Sequence, residues 1–287
     1  MSPRLEQGRP RGISGAGVGL RLPHLDRILA ELPDIPWLEV LADNHLVDGG
    51  PLLHSLEQLR ADYPMTLHCV GMSIAGTEPL DEDYLGAIRQ LADRLDIELV
   101  SDHLCFTRHA GHAFPDLLPI PYTEEALAHV ARRVSLIQER LGRRLLVENV
   151  SAYIGYRDTT IAEGEFLAAL AEAADCALLV DVNNAYVNEA NLGTGATDLL
   201  AALAPQRVAQ AHLAGFEDRG DFLLDAHNHP VSDDVWDLFG IFCRLFPGTP
   251  TLIEWDTALP DLEVLLRERE QAERVMTETR PGEAVGR

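Results

Sequence analysis

An α/β fold, a (β/α)8 barrel, is what the sequence predicts, and three observations predict it. Short apolar runs of the kind that form buried parallel strands recur eight times, stretches with helical spacing separate them, and the chain of 287 residues has the length one such barrel needs. The runs are 17–20, 37–42, 65–70, 98–102, 145–149, 177–183, 208–213 and 251–256. The helices between and after them fall at 23–31, 51–61, 81–95, 123–141, 162–173, 196–203, 232–246 and 260 to about 277. Thr123 ahead of Glu124 and Glu125, and Ser232 ahead of Asp233 and Asp234, are expected caps, and Pro260 an expected first-turn proline. A doubly wound sheet is the alternative to the barrel, since it also alternates strand and helix. One catalytic domain is expected over 16–279, with polar, flexible tails at 1–15 and 280–287.

Composition narrows the function. With 23 basic against 46 acidic residues the net charge is −23, which offers no clustered cations to hold a phosphate backbone, so no nucleic-acid partner is expected. No apolar h-region opens the chain and no run reaches the roughly 18 residues of a membrane span, so no membrane partner and a cytoplasmic location are expected. Cys69, Cys105, Cys176 and Cys243 form no Cys-x-x-Cys pair, which argues against a zinc knuckle, a dithiol motif or a disulfide framework.

A barrel enzyme carries its reactive groups at the C-terminal ends of its strands. Strand three ends in His68 and strand four in Asp102 and His103, while strand five supplies Glu148 and Asn149. Strand six carries Asp181, Asn183 and Asn184, strand seven His212, and strand eight Glu254 and Asp256; Asp225 and His227 follow strand seven. Carboxylates gathered in a barrel mouth repel one another and lose hydration, and bound cations remove both penalties. His68, His103, Glu148, Asp181, His212, Asp225, His227 and Glu254 suit iron, manganese or zinc and exceed the four ligands of one closed site, so more than one metal is expected.

Other signals read as structural. Asp102 and Asn183 point away from their neighbours if strand alternation holds, so each is expected to cap or brace. Gly15, Gly17 and Gly19 precede or lie in the first strand and open no helix, which argues against a dinucleotide loop. His109 and His112 fall in a polar loop, and His24, His45, His54 and His129 in or near helices, as mostly solvated side chains. Cys69 is expected to face the helices and Cys105 to lie at the mouth as a passive small residue or a reactive thiol. His229 is open between ligand and substrate contact.

The motifs resemble the multinuclear non-heme iron-dependent oxidative enzymes (MNIO, MbnB-like), peptide-modifying barrels of xylose-isomerase-like fold. The resemblance runs from about Gly17 to Leu266, through Leu67-His68-Cys69-Val70-Gly71-Met72-Ser73, Ser101-Asp102-His103-Leu104, Leu117-Leu118-Pro119-Ile120-Pro121 and Val147-Glu148-Asn149 with Ser151 and Tyr153. It continues in Asp181-Val182-Asn183-Asn184 with Tyr186 and Val187, His212-Leu213-Ala214-Gly215, Asp225-Ala226-His227, Pro230-Val231 and Leu252-Ile253-Glu254-Trp255-Asp256. It departs at Ala226, where relatives carry a small hydroxyl residue, and at Cys105-Phe106, where they often carry an aromatic. By resemblance His68 and His103 bind one iron with Glu148 bridging, Asp181, His212 and Glu254 hold a second, and Asn184, Asp225 and His227 a third. Glu148, Asp181 and His227 are the residues expected to carry catalysis. The cofactors implied are two or three iron ions in mixed valence with O2 as co-substrate, and the implied reaction is oxidation of cysteine in a ribosomally synthesised precursor peptide (RiPP biosynthesis). A separately encoded partner protein that recognises the leader is also implied. A divalent-metal sugar isomerase or epimerase, an endonuclease IV-like phosphodiesterase, and a non-catalytic peptide- or iron-binding accessory are the alternatives.

Overall fold

The computed structural model describes residues 12–279. In chain order the strands are β1 (Ala16–Leu20), β2 (Leu38–Leu41), β3 (Met65–His68), β4 (Val100–His103), β5 (Phe106–His109), β6 (His112–Leu118), β7 (Leu145–Glu148), β8 (Ala177–Asp181), β9 (Val208–Leu213), β10 (Glu217–Asp218), β11 (Leu223–Leu224) and β12 (Thr251–Ile253). Eight of them, β1, β2, β3, β4, β7, β8, β9 and β12, pair in parallel and close into a barrel, as the alternation predicts. The helices are α1 (Leu22–Glu31), α2 (Pro51–Asp62), α3 (Glu82–Arg94), α4 (Glu124–Leu141), α5 (Glu163–Ala173), α6 (Val182–Leu192), α7 (Ala196–Ala202), α8 (Asp233–Leu245) and α9 (Leu262–Glu278).

Two layers of apolar packing hold this frame. The outward residues of the strands, such as Val18, Val40, Leu67, Val147 and Val180, pack against the helices in one continuous core. Inside the barrel, Leu146, Ala177 and Leu179 form a small separate plug with Leu99 and Ala209 against it. Side chains alternate along a strand, so the residues two positions beyond the plug point the same way at the C-terminal end. Glu148 follows Leu146 and Asp181 follows Leu179 by that rule. The parallel register then sets His103 beside Glu148 and Asp181 beside His212.

Several boundaries differ from expectation. The sixth run is not a strand to residue 183: it ends at Asp181, whose Oδ1 accepts the Asn184 N–H at 2.7 Å and caps α6. Asn183 and Asn184 are therefore helical, and strand alternation does not govern where they point. Thr123 and Ser232 cap α4 and α8, accepting from Ala126 N–H and Val235 N–H. Pro260 lies ahead of α9 rather than in its first turn, and its carbonyl meets His24 Nε2 at 2.8 Å. Residues 106–118 form the antiparallel β5–β6 hairpin instead of a loop.

The polar tails expected at 1–15 and 280–287 lie outside the described residues except for 12–15, where the Gly15 carbonyl accepts from Thr251 N–H and Trp37 Nε1–H. His54, His109 and His112 are exposed as expected, and His129 is partly so. His24 and His45 instead are buried, on a helix and in a 3-10 turn that pack inward. All four cysteines are free and buried.

Candidate metal centre

Glu148, 1% exposed, sits at the centre of the barrel mouth and its two carboxylate oxygens face different neighbours. Oε2 lies 3.6 Å from His68 Nε2 and 3.3 Å from His103 Nε2. Oε1 lies 3.3 Å from His212 Nδ1, which is 2.9 Å from Glu254 Oε2. His68, His103 and Glu148 thus form one group able to converge on an ion, and Glu148, Asp181, His212 and Glu254 form a second. His227 closes a further group with Glu254 and Asp256, and its Nε2 is 2.6 Å from Asp225 Oδ1 and 3.9 Å from Asp181 Oδ2. Asn184, Asp225 and His227 line the same cavity of about 460 Å3, together with His68, His103 and Glu254.

Each imidazole is fixed by what its other nitrogen or its neighbour touches. Ser101 donates its hydroxyl proton to the Leu67 carbonyl at 3.3 Å, so it accepts from His68 Nδ1 at 2.8 Å and leaves Nε2 as the lone-pair nitrogen. Glu39, buried in the middle of β2, lies 2.9 Å from His212 Nε2 and turns Nδ1 toward Glu148 and Glu254. Such carboxylate–histidine pairs set the tautomer of a metal ligand. Glu39 is itself held by Thr66 Oγ1 at 2.9 Å and Gln210 Nε2 at 2.5 Å. Asp102 accepts the backbone N–H of Met72 and of His103, at 2.8 and 2.6 Å, and so braces the strand end, as expected of it.

The carboxylates are positioned with equal care. Asn149 clasps the Asp181 backbone with two bonds of 2.9 Å. Asn184 Nδ2 donates to the Asn149 carbonyl at 3.1 Å, which leaves its Oδ1 unpaired. Asn183 holds Asp225 Oδ1 at 2.8 Å, so it positions a site residue as well as bracing the fold. Arg21 reaches Glu254 at 3.3 Å and Asp256 at 2.5 Å. Gly19 makes room for it, since a Cβ there would stand 2.9 Å from the guanidinium. His227 has φ +44°, and its carbonyl takes the Asp256 N–H at 2.9 Å to hold that turn.

What this arrangement lacks is satisfied hydrogen bonding. Buried Glu148 Oε2, Asp181 Oδ2, Asn184 Oδ1, His212 Nδ1 and His227 Nε2 have no hydrogen-bond partner among the described residues, although His212 Nδ1 is 2.9 Å from Glu254 Oε2 and Asp181 Oδ2 is 3.9 Å from His227 Nε2. Short distance without alignment is how atoms aimed at a common ion are arranged, and buried orphans otherwise cost about 1–3 kcal/mol each. Burial pushes the Asp181 carboxyl well above the usual carboxylate range despite His227 nearby. Burial opposes the charged form of His103, yet Glu148 and Asp102 raise it to about 9. The donor set of imidazole, carboxylate and amide oxygen fits iron as it fits manganese or zinc.

Cys105 is buried, and burial with Asp102 behind it pushes its thiol well up, which makes it a passive neighbour of the site. His229 is exposed at the surface, and its backbone carbonyl would be 2.0 Å from a Cβ on Gly215. Glu39, Gln210, Thr66, Ser101 and Arg21 are functional neighbours that position in the sequence does not reveal. A glutamate in a strand buried on both faces is the signal that was there to use, because such a charge needs partners.

The class that fold and site define is a closed parallel barrel with histidines and carboxylates grouped at its mouth where they could hold metal. Within that class the chain belongs to the RiPP precursor modification enzyme family MbnB/TglH/ChrH, which it matches over residues 15–277. It is 49% identical over 269 residues to a UPF0276 protein of Acaryochloris marina, covering 94% of this chain and 97% of that one. A UPF0276 protein of Anaeromyxobacter is 46% identical over 265 residues, covering 92% and 94%. Among solved structures the fold resembles a D-psicose 3-epimerase (TM-score 0.57, 13% identity, 93% and 98% covered). It also resembles endonuclease IV of Thermus thermophilus (0.58, 18%, 92% and 99%) and a xylose isomerase domain protein of Planctomyces limnophilus (0.58, 13%, 95% and 99%). These three likenesses concern the fold alone. Among the described residues no helix is long and apolar enough to cross a membrane.

Proposed function

We propose that this protein is an iron- and O2-dependent oxidase or oxygenase that modifies cysteine residues of a ribosomally made precursor peptide. The observation that carries the reading is Glu148, whose two oxygens face two separate ligand groups in a chain of a RiPP-modifying family. His68 and His103 would hold one iron and Asp181, His212 and Glu254 a second, with Glu148 between them. Asn184, Asp225 and His227 would hold a third.

Bound iron would supply redox equivalents and the place where O2 is reduced while the cysteine is oxidised. The chain's own residues do the positioning. Ser101 and Glu39 fix His68 and His212 as lone-pair donors, and Asn149 holds the backbone of Asp181. Arg21 keeps Glu254 and Asp256 in place and offsets their charge. The cavity of about 460 Å3 leaves room for a peptidyl cysteine beside them, with Leu117 and Leu259 as apolar walls. Four free thiols fit a reducing cytoplasm as the working compartment. The expected partners are a Cys-containing precursor and a separate protein that reads its leader.

The test is to incubate iron-loaded protein under air with candidate precursors, adding any protein encoded beside it, and to record peptide mass and free thiol. A mass change at one cysteine with O2 consumed supports the reading. Unchanged peptides, alongside metal-dependent turnover of a sugar or of abasic DNA, overturn it.

A further inference from the structure

A second cavity, of about 490 Å3, opens beside the candidate metal centre between α5, α6, α7 and the segment that follows β6. Its walls are largely apolar, with Pro119, Ile120, Ile161 and Leu199 among them. Ile154 and Leu192 line it while 57% and 37% exposed, which is an apolar rim left open to water. Tyr153, next to Ile154 in the chain, and Phe222, 39% and 43% exposed, meet edge to face at 5.8 Å, and the Tyr153 hydroxyl accepts the Asp225 N–H. Cavities of about this size with a few placed polar groups are typical of ligand sites.

The charged groups of the cavity all have one sign. Glu163, Glu165 and Asp198 line it, and among the described residues no arginine does; the cation nearest in sequence, Arg157, is exposed. Glu165 and Asp198 are exposed, whereas Glu163 lies deeper. Its partners are weak ones: Tyr122 hydroxyl at 3.3 Å and Asn188 Nδ2 at 3.4 Å. A carboxyl so placed gains most from a cation whose stem is apolar.

The two cavities draw on the same elements for neighbouring parts of their walls. On α6, Asn184 lines the metal cavity, and Asn188, one turn on, lines the second. After the β5–β6 hairpin, Leu117 lines the first, and Pro119 and Ile120 the second. One helical turn is about 6 Å, and extended peptide covers about 3.3 Å per residue, so roughly two to four residues join the two.

We infer that this cavity is a second substrate subsite, which takes a lysine or arginine side chain of the precursor peptide a few residues from the cysteine under modification. Its alkyl stem lies along Ile120, Ile161 and Leu199, and its cationic head meets Glu163. The inference rests on the proposed function for the identity of the ligand, and on the cavity alone for its chemistry. Burial pushes the Glu163 carboxyl up to about 7, consistent with a site in want of a cation.

The chain has no lysine, all 23 of its basic residues being arginine, and this makes a direct test available. Capped peptides with one cysteine and one lysine two to four residues away are mixed with the full-length protein and coupled with a carbodiimide, which joins an amine to a carboxylate in contact with it. The adduct is expected at Glu163 by tandem mass spectrometry, lost in Glu163→Gln, and kept when serine replaces the peptide's cysteine. Fluorescence anisotropy should show binding weakened about 10-fold by Nε-acetylation of the lysine, which is about 1.4 kcal/mol. Adducts scattered over exposed carboxylates, or equal affinity of the acetylated peptide, would overturn the inference. Coupling at Glu163 without any oxidation of the cysteine peptide would instead count against the proposed function and leave the subsite standing.

Discussion

A carboxylate buried as deeply as Glu148 among three imidazoles costs several kcal/mol unless cations balance it, and its two oxygens point at different histidines. Glu148→Gln keeps the shape and removes the charge. The expected result is the loss of at least one equivalent of iron per chain and of turnover by more than about 100-fold, read by elemental analysis and by peptide mass. Full metal loading with activity retained would speak against a bridging role. Glu39→Gln acts one step further out, because Glu39 touches His212 at Nε2 and not the nitrogen aimed into the site. A drop in iron affinity or activity of about 10- to 100-fold is expected, with circular dichroism unchanged. If Glu39 only props the strand, stability falls and metal affinity does not.

At the scale of elements, the barrel was legible because parallel strands buried on both faces read as apolar runs, and 208–213 coincides with β9. Helix α6 was not, because the apolar run that ends at Asp181 continues through Val182 into two asparagines, and a side chain that caps a helix reads like any strand-end acid. The β5–β6 hairpin was hidden because β6, His-Ala-Phe-Pro-Asp-Leu-Leu, is exposed or half-buried along its whole length, so its apolar and polar residues follow no two-residue period. The ligand candidates at strand ends could be found from position alone, whereas Glu39 sits mid-strand between Leu38 and Val40 and shows its role only when His212 is brought across the barrel. Gly215 belongs to this scale too, since it lets the segment with Asp225 and His227 fold back over β9. A Cβ there would lie 2.0 Å from the His229 carbonyl oxygen and 2.5 Å from that of Pro230. Gly215→Ala should cost about 1–3 kcal/mol in denaturant unfolding and lower iron content, by shifting that segment. Unaltered stability would mean the backbone yields more freely than packed cores do.

For the whole molecule, pH and metal are the two variables that report on the account. Glu163 titrates at about 7 in the fold against an ordinary 4.5, so the native state holds its proton where the unfolded chain has released it. The stability this proton gives is complete below about pH 4.5 and is lost as pH rises through about 7. Its full size is about 3 kcal/mol at most, from 1.36 kcal/mol per pH unit. Comparing thermal unfolding at pH 5 and pH 8 should therefore show a fall in the wild type that is smaller in Glu163→Gln, which carries no proton to lose. Equal falls in both proteins would place the carboxyl in water.

The claim that one barrel mouth holds more than one iron is tested most directly by metal analysis with Mössbauer spectroscopy on anaerobically purified, full-length protein. Two or more irons per chain, some of them magnetically coupled through a shared carboxylate, is the result expected from Glu148 standing between His68–His103 and His212–Glu254. A single iron, or zinc or manganese alone after growth with iron in excess, would contradict it.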